Sequence, residues 1–272
     1  MAFASLETQI ADLTTKVNAL TETYRTKAQA IDAAVTAALV AIPSNERVYY
    51  VDPRSGDDTG PGSSGRPMRT LKAACDAVPA GGRGAIYLPL APVVCDIDQH
   101  IDLRHKSIRI GPVSNPSPSG TNADKALLPT IRQRIVGGTA YGFGLDCSSI
   151  VFVYCGLETA TADTNPASSG LIRRVDVMGA SCGVIYCDIR LGSTPFANRS
   201  EGAASLWLQV YGSRIKRTVS GRGSLLAAQT QPAVLGVRRT ELPSDLTLTD
   251  LVSGLVRDST GRVVNIVCSE VL

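Results

Sequence analysis

Rings are scarce in this chain. Its 272 residues include four Phe, eight Tyr and a single Trp, 5% in all, against 25 Gly and 15 Pro. That balance argues against a helical bundle and favours many short strands joined by turns. Histidine is scarcer still. His100 and His105 sit together in DQHIDLRHKSI, with no Cys/His spacing that would hold zinc and no local signature of a Ser/His or Cys/His catalytic pair. A phosphate loop and a dinucleotide fingerprint are missing. The net charge of +3 comes without a basic stripe interleaved with aromatics, so nucleic acid is not an expected partner. The most apolar helical stretch, AAVTAALVAI, is too short to cross a bilayer, so no membrane insertion is expected. The opening MAFASLETQIADL has no basic n-region and carries Glu7 and Asp12 where a secretory signal is apolar. Seven cysteines, an odd number without CxxC spacing, are expected as reduced, mostly buried small hydrophobes in a protein made in a cytoplasm, with no metal and no cofactor.

What is present is enough apolar material, 44% hydrophobic with 19% charged, for one or two globular domains. Leu6, Ile10, Leu13, Val17, Leu20 and Tyr24 alternate steps of four and three, the spacing with which a helix buries its stripe against copies of itself. After one extra step of four, a stutter that locally unwinds a supercoil, the alternation resumes at Ala28, Ile31, Val35, Ala38 and Ile42 until Pro43 ends the helix. Residues 1–43 are expected as a coiled-coil assembly helix; the plain alternative is an amphipathic helix lying on its own domain. Ile or Val alternating with Leu favours two strands, so anything higher than a dimer must come from the rest of the chain.

The stretch YVDPRSGDDTGPGSSGRPMRTLKAA starts as a strand, passes through a loop of Gly, Ser, Pro and Asp, and ends as a short helix. Thr70 can cap that helix, and Leu71, Ala74, Cys75 and Val78 share one apolar face. Tyr50-Val51-Asp52, Gly56, Asp57, Gly60, Ser63, Pro67, Arg69, Thr70, Leu71 and Ala74, followed by GGRGAIYLPLAPVVCDIDQHIDLRHKSIRIGP, resemble the opening of pectate-lyase-like right-handed parallel β-helix proteins. The resemblance is strongest to bacteriophage tail spikes and tail fibres. It implies that the short helix plugs the end of a short β-helix and that the strand after it starts the first coil. It also implies a homotrimer carried on the virion tail, with other tail or baseplate proteins and a host cell-surface polysaccharide or lipopolysaccharide as partners. On this reading residues 46–222 are the capped parallel β-helix and 223–272 a small terminal β module.

Strand candidates recur after the helix: AIYL, HIDL, SIRIG, TIRQRIVG, SIVFVYCG, LIRRVDVMG, GVIYCDIRLG and SLWLQVYGSRI, each bounded by turn residues. Their uneven spacing fits stacked coils or an ordinary sandwich. In GVIYCDIRLG, alternation sets Ile185, Cys187, Ile189 and Leu191 inward and Tyr186, Asp188 and Arg190 outward. SIVFVYCG is apolar on both faces, with Val151, Val153 and Cys155 opposite Ile150, Phe152 and Tyr154. Its second face is expected to meet a neighbouring subunit or a covering loop. In the tail, SDLTLTDL reads as a short strand, and GLVRDSTGRVVNIVCSEVL as a hairpin turning at Asp258-Ser259-Thr260-Gly261.

Two surfaces could carry function. Spikes of the resembled kind are often polysaccharide depolymerases, and hydrolysis needs two carboxyl groups about 5–10 Å apart. Asp176 and Asp188, with Arg174 and Arg190 nearby, are the best pair; as a lyase, the aspartates would hold calcium and an arginine would take the proton. The plain alternative is a ladder of ion pairs on a sheet surface. In SLWLQVYGSRI, Leu206, Leu208 and Val210 form the inward row, leaving Trp207, Gln209 and Tyr211 outward, groups suited to stacking on sugar rings and bonding hydroxyls. Packing of the same rings under a loop or a second subunit is the alternative. Three functions follow: receptor recognition by a tail fibre or spike subunit, depolymerisation of surface polysaccharide, or a connector that meets only other virion proteins.

Overall fold

The structure, a computed structural model, describes residues 2–41, 46–90, 92–114, 128–162, 170–174, 179–199, 206–219, 222–227 and 233–269. The chain is mainly β, with parallel sheets and an N-terminal helix. It divides into two compact units, Met1–Asn45 and Glu46–Leu272.

The first unit is the helix Ala2–Ala41. It contains neither Gly nor Pro, and it absorbs its threonines by turning their hydroxyls back to carbonyls four residues earlier, as Thr14 does to Ile10 at 2.8 Å and Thr21 to Val17 at 2.9 Å. The apolar stripe is exposed at Ile10 (57%), Leu13 (62%), Val17 (51%), Leu20 (55%), Tyr24 (69%) and Ile31 (61%). The side chains of Leu6 and Val35 lie outside the described residues, as does Ile42. Among the described residues no helix is long and apolar enough to cross a membrane.

In the second unit the described strands form three parallel sheets of eight, five and six strands and one antiparallel pair. The chain visits the three sheets in rotation, so each strand pairs with its equivalent from the circuit before. One such circuit is Ser149–Val153, Gly156–Glu158 and Ile172–Arg174; the next is Ala180–Ile185, Asp188–Leu191 and Ala197–Arg199. Alternation along each strand then becomes a ladder across strands. Ile86, Ile110, Phe152, Val184, Val210 and Val237 align on the inner face of the eight-stranded sheet. Cys95, Ile131, Leu157, Ile189 and Ile215 do so in the five-stranded sheet. Ile101, Phe143, Ile172, Ala197, Leu226 and Val252 complete the core from the six-stranded sheet. All of these residues are buried, and Phe143 meets Phe152 edge-on at 5.6 Å across the interior.

The helix Leu71–Ala77 packs against Arg83–Leu88, Val94–Ile97 and Ile101–Asp102, one strand from each sheet, and so closes the end of the core. Thr70 caps it, accepting from the Ala73 N–H at 3.1 Å, and Leu71, Ala74, Cys75 and Val78 are buried. Asp58 anchors the cap: its carboxylate accepts from the N–H groups of Arg69 (2.7 Å) and Thr70 (2.8 Å) and from the Thr70 hydroxyl (2.9 Å). At the other end, Lys106 Nζ and Tyr49 OH donate to the carbonyls of Cys75 and Ala77, both at 2.9 Å. Gly84 makes room for this helix, since a Cβ there would stand 2.4 Å from Val78 Cγ2.

Between the eight-stranded and five-stranded sheets the chain turns a repeated corner. Tyr154, Tyr186, Gly212 and Arg239 all adopt left-handed backbone, with φ of 52°, 53°, 58° and 50°. The next residue each time is Cys155, Cys187, Ser213 or Thr240, whose side chain bonds the carbonyl two residues back, at 3.4, 3.3, 3.0 and 3.2 Å. Two of these side chains also receive the N–H of the circuit before, Cys155 to Cys187 Sγ at 3.5 Å and Cys187 to Ser213 Oγ at 3.0 Å. All seven cysteines are free. Burial pushes the thiols of Cys75, Cys95 and Cys187 up to about 12 and raises Cys155 and Cys182 as well.

The corner corrects two readings of the sequence. GVIYCDIRLG is two strands of two sheets, so the alternation resets at Tyr186: Val184 is buried, Ile185 is half-buried on the outer face, and Cys187 is in the core. In SIVFVYCG, Ile150 and Phe152 point inward, and Cys155 joins them only because the chain turns at Tyr154. Residues 223–272 belong to the same unit as 46–222. Leu226–Ala227 and Val252–Ser253 extend the six-stranded sheet, and Ala233–Arg238 and Ile266–Cys268 the eight-stranded one. SDLTLTDL forms no strand but the 3₁₀ turn Thr249–Leu251, because Asp250 accepts from both the N–H (2.8 Å) and hydroxyl (2.6 Å) of Thr247. The turn at Asp258–Gly261 forms as expected: Asp258 Oδ1 accepts from the N–H groups of Thr260 (2.9 Å) and Arg262 (3.0 Å), and the Val264 N–H reaches the Val256 carbonyl at 2.9 Å.

Candidate functional site

The outer face of the five-stranded sheet carries the acidic candidate. Register places Asp96, Arg132, Glu158, Arg190 and Lys216 in one row, with Asp188 beside Arg214 in the next. Asp188 points outward and is nevertheless fully buried, because cations close over it. Its two oxygens accept from Arg190 Nε at 3.0 Å and Arg214 Nε at 2.8 Å, and Lys216 Nζ stands 3.8 Å away. Burial pushes its carboxyl up, but the Arg214 bond and the charges of Lys216, Arg214 and Arg190 outweigh it, so the acid is held below its ordinary range. Arg132 forks onto Asp96 at 2.7 and 3.1 Å, and Arg190 Nη1 reaches Glu158 at 3.8 Å. An ionised carboxylate with both oxygens engaged has no proton to give, and three cations hold it from accepting one. Its partner in the candidate pair, Asp176, lies outside the described residues, as does the side chain of Arg174. Among the described residues no group of three or more His, Cys, Asp or Glu could hold a metal ion.

The outer face of the eight-stranded sheet has a different chemistry. Where its strands begin, Arg83, Ser107, Ser149, Ser181 and Trp207 align in one row across five consecutive strands. They line a cleft of about 500 Å³. Ser107 and Ser149 share a hydrogen bond of 2.7 Å between hydroxyls, and Trp207 closes the row with 51% of its surface exposed. Strand spacing puts Arg83 about 19 Å from Trp207 along the row. Residues in left-handed backbone form the cleft's other wall: Gly81, His105 and Cys147 have φ of 76°, 57° and 44°, the first two linked by the Gly81 N–H to the His105 carbonyl at 2.7 Å.

Of the three residues expected to share a binding row, Trp207 and Gln209 are exposed and Tyr211 is half-buried. Tyr211 lies about 13 Å along the strand from Trp207, in a column of rings at the corner. Tyr154 stacks on Tyr186 at 5.2 Å, Tyr186 meets Tyr211 edge-on at 5.5 Å, and Arg239 lies 5.8 Å over Tyr211 and donates to its hydroxyl at 3.0 Å. The Tyr211 ring is thereby committed to its neighbours, while Trp207 is brought together with serines that no reading of its own strand would single out. Ser107, Ser149 and Ser181 become visible in the sequence only when strands are aligned on their corners. Comparison with family models, with curated proteins and with solved structures finds no match to this chain.

Proposed function

We propose that this chain is a structural subunit of a bacteriophage tail fibre or tail spike that recognises a host surface glycan. Its helix assembles copies of the chain, as the trimer that the resemblance of residues 50–112 implies. The second unit is then a short right-handed parallel β-helix capped by Leu71–Ala77. The rotation of the chain through three parallel sheets supports that architecture, and parallel crossovers are right-handed in nearly all sheets. The exposed stripe from Ile10 to Ile31 supports self-assembly, since an uncovered seam of this length loses about 25 cal/mol for each Å² of apolar surface left in water. Other tail or baseplate proteins are the remaining partners of such a subunit, and the virion its location.

The observation that carries the binding reading is Trp207, an exposed indole on a rigid strand at the end of a row of hydroxyls. An indole face stacks on the apolar face of a sugar ring while neighbouring hydroxyls and Gln209 satisfy its polar edge. The pairing of Asp188 with two arginines favours binding over cleavage. Incubating the protein with host envelope extracts tests this: retained, uncleaved polysaccharide supports recognition, released oligosaccharide supports a depolymerase, and neither outcome across sensitive hosts leaves a connector.

A further inference from the structure

We infer that the cleft between Arg83 and Trp207 takes a carboxylated polysaccharide, its carboxylate groups bound by Arg83 and by Arg109 beside the cleft and a sugar ring stacked on Trp207. This rests on the reading of Trp207 as a glycan platform and adds the charge class of the glycan. Two of the outer faces of the unit treat charge oppositely. On the five-stranded sheet, Arg132, Arg190, Arg214 and Lys216 each lie within 4.0 Å of a carboxylate. On the eight-stranded sheet, Arg83 is exposed and Arg109 half-buried, and neither forms an ion pair with a carboxylate among the described residues. Arg83 and Arg109 are diagonal neighbours across Ala85 and Ser107: Arg83 lines one end of the cleft and Arg109 stands in the outer row beside it, and neither guanidinium has a carboxylate partner among the described residues.

Between Arg83 and the indole, the first row is small and polar: Ser107, Ser149 and Ser181 follow one another across the strands, with Val151 and Gly183 packed together in the row behind. That sequence of groups, forked cations, hydroxyls, then one stacking ring, matches a polymer of hydroxyl-rich rings with anionic substituents. Single-stranded nucleic acid asks for a ring under each successive base, and the row offers one indole.

The test uses the full-length protein and immobilised hyaluronan and alginate, each beside its carboxyl-reduced form. The expected result is retention on at least one acidic polymer, at least tenfold weaker binding to its reduced form, and weakening by raised salt. Arg83→Gln and Arg109→Gln should each lower acidic binding about tenfold, the size of one lost charge-assisted bond, and leave binding to reduced polymer unchanged. Trp207→Ala should lower both. Equal retention of acidic and reduced forms, still lost in Trp207→Ala, overturns the acidic class and leaves the glycan reading standing. No retention of either form overturns the acidic class, while the glycan reading stands or falls with the host envelope extracts; tighter binding to oligothymidylate overturns both in favour of nucleic acid. Circular dichroism of each variant separates lost binding from lost fold.

Discussion

The ring of Tyr186 lies across Gly212, so closely that a Cβ at Gly212 would stand 2.5 Å from the ring. Gly212 also has φ of 58°, where side chains are strained. The close ring requires glycine here, and the backbone conformation, which Tyr154, Tyr186 and Arg239 adopt at the equivalent corners, adds strain for any replacement. Gly212→Ala should destabilise the fold by about 1–3 kcal/mol. Removing the ring as well, in Tyr186→Ala/Gly212→Ala, should relieve the clash and leave only the backbone strain; a denaturation double-mutant cycle showing strict additivity would refute the contact.

Asp188 is the hub of the charged face, and its loss leaves two arginines facing each other over a buried site. Asp188→Asn should cost about 3 kcal/mol, read from urea midpoints at neutral pH. Its pH dependence has a definite sign. The folded carboxyl is held below its ordinary value of 3.8, so its stabilisation is present above that value and is lost as pH falls through the folded one. Wild type should lose stability steeply below about pH 4, and Asp188→Asn should lose less over the same interval. Parallel acid titrations of the two would contradict the assignment.

The cap should fail at Asp58 before it fails at Thr70. Asp58 accepts three hydrogen bonds against one from the helix to Thr70, so Asp58→Ala should cost about 2 kcal/mol and Thr70→Ala about 1. Leu71→Asp, which puts a charge into the covered core, should abolish soluble expression. Thermal melts of the first two variants in the reverse order would reassign the anchor.

Charges placed in the helix stripe should break assembly. Replacing Ile10, Leu13 and Val17 with Asp should convert the oligomer to monomer while the second unit keeps its β signal. Light scattering that shows an unchanged mass would remove the helix from assembly.

Period-two alternation makes the inner row of SLWLQVYG legible in the sequence, and the Thr70 cap together with the apolar face of Leu71, Ala74, Cys75 and Val78 marks the short helix. The corners were hidden for a physical reason. Left-handed backbone is normally signalled by Gly or Asn, whereas here Tyr154, Tyr186 and Arg239 adopt it, held by stacking between circuits. Without that signal two strands read as one, and alternation points to Ile185 for the core place that Val184 fills. The recurring strands carry no fixed period because circuits differ in length: 42 residues separate Ser107 from Ser149 and 26 separate Cys187 from Ser213. For the same reason the last strands looked like a separate module, and the serine row had no period to reveal it.

Trp207 is the chain's only tryptophan, so its fluorescence reports on the cleft without labels. The most direct test of glycan recognition is to titrate the assembled protein with purified host envelope polysaccharide while measuring Trp207 emission and its quenching by acrylamide. Recognition through this cleft predicts a saturable shift in emission and protection from acrylamide as the indole is covered. Bound polysaccharide with unchanged emission and unchanged quenching, or an indole already shielded from acrylamide in the unliganded oligomer, would contradict it.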